Sequence, residues 1–197
     1  MAGDILAVDQ DSSSLYCAHL PKEQPMKKLA WLAVVLLCSA SPARATDEVS
    51  GSFTVNGKAT RFEHVYAFWK PSLFDQTKPD LFVLLSDIAI PAEALPKNDD
   101  GVAKMAELVR AGKVHALELH MAPADKGLDP GENAAVYHVG LSPARHGMSG
   151  MHVFEPTVFD DKTIEARAHT DGERQSDGVR WSYEARFKVA IPPKPTS

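Results

Sequence analysis

Residues 179–191 read Val-Arg-Trp-Ser-Tyr-Glu-Ala-Arg-Phe-Lys-Val-Ala-Ile. Val179, Trp181, Tyr183, Ala185, Phe187, Val189 and Ile191 alternate with Arg180, Ser182, Glu184, Arg186 and Lys188. Side chains along a strand point to opposite faces in turn, so one face of this segment belongs in a core and the other in water. That pattern fits an antiparallel sandwich or barrel.

Other segments carry signals for strands that could pair with it. Val49 to Val55 alternates in the same way, reaches Asn56-Gly57 and resumes at Lys58. Asn-Gly between two such runs marks a tight hairpin, because both central residues of a type I′ turn need φ > 0. The returning run, Ala59 to Trp69, sets Phe62, His64, Tyr66 and Phe68 on one face and Val65, Ala67 and Trp69 on the other, until Pro71 breaks it. Leu81 to Ser86 is almost wholly apolar, as a central strand covered on both faces would be. Further strands are expected at Val114–Met121, Ala134–Val139, Met151–Phe154 and Thr163–His169. One helix is expected after the capping residues Asn98-Asp99-Asp100. Its stripe is Val102, Met105, Ala106, Leu108 and Val109, and Gly112 is its stop. The fold class is therefore all-β: an antiparallel β-sandwich or barrel of about eight strands with one helix. The tail from Pro192 is expected to fray.

The N-terminus has a different grammar. Met26-Lys27-Lys28 precedes the apolar run Leu29–Cys38, and Ala43-Arg44-Ala45 precedes Thr46. A cationic start, a short apolar run and small residues at a cleavage point are the three regions of a secretory signal peptide. Ten apolar residues rise only about 15 Å as a helix, half of a ~30 Å hydrocarbon core, which argues against a stable membrane anchor. The reading is thus a gene-start artefact over 1–25, a signal peptide over 26–45 cleaved after Ala45, and one β-rich domain over 46–197. The product is expected to be exported, periplasmic or secreted. Cys17 and Cys38 both precede Thr46, so that domain has neither a disulfide framework nor a thiolate nucleophile.

Charge narrows the partners. The chain carries 21 Lys+Arg against 26 Asp+Glu; removing the four of each in residues 1–45 leaves 17 and 22. A net −5 does not suit a phosphate backbone, which selects clustered cations, so no nucleic acid is expected. A composition of 44% hydrophobic and 24% charged residues is ordinary for a soluble globular domain.

The runs GSFTVNGKATRFEHVYAFW (51–69), LFVLLSD (81–87), LVRAGKVHALEL (108–119) and GMHVFEP (150–156) together resemble a group of small exported bacterial β-rich proteins of unknown function. The resemblance implies export and a β fold. It carries over no catalytic residue.

Histidine and methionine hold the chemistry. His146-Gly147-Met148-Ser149-Gly150-Met151-His152 is the densest cluster, and His120-Met121 precedes it. Imidazole and thioether suit copper: Met favours Cu(I), and His accepts both oxidation states. His120-Met121 and His146-x-Met148 are similar to the H-M and H-x-M elements of periplasmic copper chaperones, although no Met lies between Met121 and Met148. Adjacent residues on a strand face apart, so His120 with Met121, or Met151 with His152, cannot ligate together. Two glycines make HGMSG readable as a loop that folds back on His146 and Met148. The candidate metal residues are therefore His146, Met148, His152 and His120, while His64, His115, His138 and His169 read as structural.

Other chemistries find less. Gly147-Met148-Ser149-Gly150-Met151 lacks the second glycine of a nucleophile elbow and any strand-to-helix setting. Asp160-Asp161 and Glu118 offer carboxylates that nothing brackets, and the adjacent pair reads as a solvated turn; Asp125–Gly131 is sparse for a calcium loop, and no phosphate-binding fingerprint occurs. Trp69 and Phe74 flank Pro71 and form a candidate ligand-binding pair on a loop. Alternatively, they cap one end of the core. The expectation is a non-enzymatic binding or accessory protein without an organic cofactor, acting on a small ligand or a protein partner, with copper binding or delivery as the alternative.

Overall fold

A computed structural model describes residues 47–72, 77–124, 127–141, 145–149, 152–176 and 178–195, with the backbone alone for 122–124, 127–132 and 145–149. These residues form eleven strands and one α-helix. The strands are β1 (Glu48–Val55), β2 (Lys58–Arg61), β3 (His64–Pro71), β4 (Pro79–Ser86), β5 (Ala116–Ala124), β6 (Gly127–Tyr137), β7 (Arg145–Ser149), β8 (His152–Phe159), β9 (Thr163–Thr170), β10 (Arg174–Ser176) and β11 (Val179–Ala190). The helix, α1 (Asp99–Arg110), lies between β4 and β5. No helix among the described residues is long and apolar enough to cross a membrane.

Two antiparallel sheets face each other. The first has the order β2-β1-β11-β9-β8, with β10 on β11; the second is the meander β3-β4-β5-β6-β7. The sandwich and the single helix match the sequence reading, and the strand count rises from about eight to eleven. One addition comes from a corner. The run 59–69 is two strands in different sheets: the Phe62 N–H donates to Gly51 O on β1 at 3.1 Å, and the Glu63 N–H donates to Ser86 O on β4 at 2.8 Å. The chain changes sheets within those two residues, so Phe62 joins the interior with Val65 although their spacing is odd. Strands β7 and β10 are the other additions.

Between the sheets lie Phe53, Phe62, Leu81, Val83, Leu85, Leu117, Leu119, Met121, Trp181, Tyr183 and Phe187, all buried. A second core lies on the far side of the meander, where Phe68, Phe82, Leu84, Ala116, Ala135 and Tyr137 meet Met105 and Val109 of α1. Strand β4 thus has apolar cover on both faces, as its composition requires.

The helix follows its signals. Asn98 Oδ1 accepts from the Gly101 N–H at 2.9 Å, and past Arg110 Gly112 takes φ 64° while the Lys113 N–H returns to Leu108 O at 2.9 Å. The buried stripe is narrower than expected, because Val102 is 39% exposed while Met105 and Val109 are fully buried.

Candidate functional site

The meander carries polar groups where its apolar cover would lead one to expect none. Alternation puts Glu118 and His120 on the face opposite Leu117, Leu119 and Met121, beneath the same side that α1 covers. Glu118 is 1% exposed, Asp80 2% and His120 4%. Buried polar groups are tolerated only when they have partners, and these do. Lys70 Nζ lies 3.0 Å from Glu118 Oε1, and Tyr137 OH donates to Glu118 Oε2 at 3.0 Å. His120 Nε2 lies 2.8 Å from Asp80 Oδ2. Phe82 binds the two pairs together: its ring stacks on His120 with centroids 4.5 Å apart, and Lys70 Nζ sits 3.7 Å from its centroid.

A second cluster occupies the opposite end of the meander, just beyond β4 and β6. His115 Nδ1 lies 2.7 Å from Asp87 Oδ2, and the His115 N–H donates to Asp87 Oδ1 at 2.8 Å. The His138 ring packs on His115, with centroids 4.6 Å apart. Burial chiefly, then His115, lowers the His138 pKa to about 4, with Asp87 pulling the other way and Lys58 adding to the lowering.

The sequence-derived candidates are placed as follows. His120 belongs to the Asp80 pair, while Met121 lies in the interior, so the two face apart as alternation demands. His146 and Met148 are on β7, opposite Val136 and Ala134 of β6. The segment 145–149 is therefore a paired strand and not a loop that folds back, because its backbone groups are spent on β6. Strand β8 follows it, so Ser149 has no strand-to-helix elbow. His152 opens β8 opposite Thr170. Met151 and Phe74 lie outside the described residues. Trp69 packs against the interior and donates from Nε1 to Pro192 O at 2.8 Å, which ties down the start of the tail that composition marked as frayed. Among the described residues, no group of three or more His, Cys, Asp or Glu side chains is arranged to hold a metal ion.

Sequence reasoning gave no role to Lys70, Asp80 and Tyr137, and set Glu118 aside as a carboxylate with nothing to bracket it. A signal was present: once 81–86 is taken as covered on both sides, polar residues alternating with core residues on a neighbouring strand must be buried as well.

Among the described residues, no element packs on the outer face of the first sheet. Glu155 and Glu184 flank Arg167 at 3.0 and 3.1 Å, and Lys188 pairs with Glu165 at 3.4 Å. Val153 and Val158 are 36% and 37% exposed and stand opposite His169 and Glu165 in the β8–β9 register. An open depression of about 350 Å³ runs among Glu48, Ser50, Thr157, Arg167, Arg186 and Lys188, and a second, over Ser52, Thr54, Ser182 and His169, adjoins it. No protein-family model, curated protein or solved structure matches the chain.

Proposed function

We propose that the chain is an exported, non-enzymatic binding or accessory protein whose partner is another protein, held on the outer face of the first sheet. One observation carries this reading. α1 and a paired polar network pack on the meander's outer face, while among the described residues no element packs on the outer face of the first sheet. That surface mixes signs in rows, with Glu155–Arg167–Glu184 beside Glu165–Lys188, and ends in two exposed valines. Mixed charge with apolar anchors suits a protein surface, and it lacks the clustered cations that a nucleic acid selects. Export is supported by Met26-Lys27-Lys28, the apolar run Leu29–Cys38 and Ala43-Arg44-Ala45.

A photo-crosslinking residue at position 186, on the open face, is compared with one at position 104, on the helix, in cells producing the full chain. A discrete adduct from 186 alone supports the reading. Adducts from 104 alone, or from neither position, contradict it.

Copper binding is the alternative, and its support is that His146 and Met148 hold alternate positions of one strand, with His152 opening the next. A Cu(I) titration against a competing chelator tests it: one-to-one binding lost on His146→Ala with Met148→Leu would replace the protein-partner reading.

A further inference from the structure

We propose that His138 is an acid-released clasp on the turn that follows β6. The Gly140 N–H donates to His138 Nδ1 at 2.8 Å, and the Leu141 N–H donates to His138 O at 3.0 Å. A backbone N–H can only donate, so Nδ1 must present its lone pair and the ring proton must sit on Nε2. An imidazolium has no lone pair, so protonation removes the first of these bonds outright. The turn is built for the contact: a Cβ at Gly140 would stand 3.0 Å from Nδ1. What the clasp seats is Leu141, 4% exposed and part of the interior, just ahead of edge strand β7.

The surroundings oppose a charge on His138. His115 packs on its ring, Phe53 of β1 approaches at 5.7 Å, and Lys58 of β2 adds positive potential. Asp87, the acid that acts on it among the described residues, already accepts both the side chain and the backbone N–H of His115. Below the ordinary imidazole range, protonation is therefore easier in the opened turn than in the closed one. Acid then loosens Leu141 and the start of β7.

The test is amide hydrogen exchange on the full chain between pH 7 and pH 4.5. Protection at Gly140 and Leu141 is expected to fall about tenfold per pH unit below pH 6.5, since one proton is taken up on opening, while Tyr183 on central strand β11 keeps its protection. His138→Asn can accept from the same N–H through its side-chain oxygen without titrating, so its profile should be flat. A readout on the unmodified chain stands beside it: ¹⁵N shifts should place the ring proton on Nε2 at pH 7. A flat wild-type profile, a parallel fall in His138→Asn, or a proton on Nδ1 would each overturn the proposal.

Discussion

Lys70 on β3 meets Glu118 on β5, two strands away, by passing over Phe82 of the strand between them. Nζ is 3.7 Å from the Phe82 centroid and 3.0 Å from Glu118 Oε1. The cation is thus held by an aromatic face and a carboxylate that Tyr137 also binds. The ammonium lies against groups of this chain, as a structural cation does.

Removing one member of such a pair strands a buried charge, which costs about 3–5 kcal/mol. Lys70→Met should therefore lower stability by about that much in urea denaturation. Adding Glu118→Gln, which keeps an acceptor for Tyr137 and removes the stranded charge, should restore most of it. A Lys70→Met chain within about 1 kcal/mol of wild type would remove the structural role assigned to the network.

Gly101 sits in the first turn of α1, where a Cβ would come within 2.1 Å of Leu95 O. Alanine is the better helix former by about 1 kcal/mol, so propensity alone predicts a gain. The clash with backbone should win. Gly101→Ala is expected to destabilise by about 1–3 kcal/mol, because the helix must lift from the 92–95 segment it packs against. A rise in Tm would show that this contact relaxes freely.

The same steric argument applies more strongly at Gly51. It has φ 111°, and its Cβ would lie 2.1 Å from Glu184 O on β11. Gly51→Ala combines a disfavoured backbone with a main-chain collision in the middle of a sheet. The expected outcome is loss of the folded state at 37 °C, read by circular dichroism. A cooperative transition near that of wild type would contradict the close approach of β1 and β11.

Stability should fall with acid through His138. Its folded pKa is lowered to about 4 from an ordinary 6.5, so the unfolded chain binds the proton first. The contribution is complete above pH 6.5 and is lost progressively as pH falls toward 4. Urea midpoints measured across that window should decline less steeply in His138→Asn than in wild type. Equal slopes would assign the acid sensitivity to other groups.

How much of this was legible in the sequence varied with the physics behind each feature. Strand 179–190, and the first arm and turn of the hairpin, are legible almost residue for residue, since alternation and Asn-Gly are local signals, whereas the returning arm ends at Arg61 and not at Trp69. The corner at Phe62-Glu63 was hidden because the amphipathic period runs through it without a Gly or Pro, and only pairing partners in two different sheets reveal the break. Strands β5 and β6 extend through Pro123 and Pro130, paired with Leu128 and Met121, where proline would ordinarily end a strand. The polar network was missed for a similar reason: Lys70, Asp80 and Glu118 are far apart in sequence, and each alone reads as a solvated charge. His120 was singled out as a metal ligand from its neighbour Met121, but a cross-strand acid 40 residues away occupies its Nε2.

The claim that function resides on the open face of the first sheet is tested most directly by charge reversal combined with cross-linking. The adduct formed from position 52, on β1 of that face, is quantified in the full chain, in Arg167→Glu with Arg186→Glu, and in the network variant Lys70→Met with Glu118→Gln. The account predicts an adduct that the face variant loses and the network variant keeps, with both variants folded by circular dichroism. An adduct that survives reversal of the face, or one that vanishes only when the buried network is altered, would contradict it.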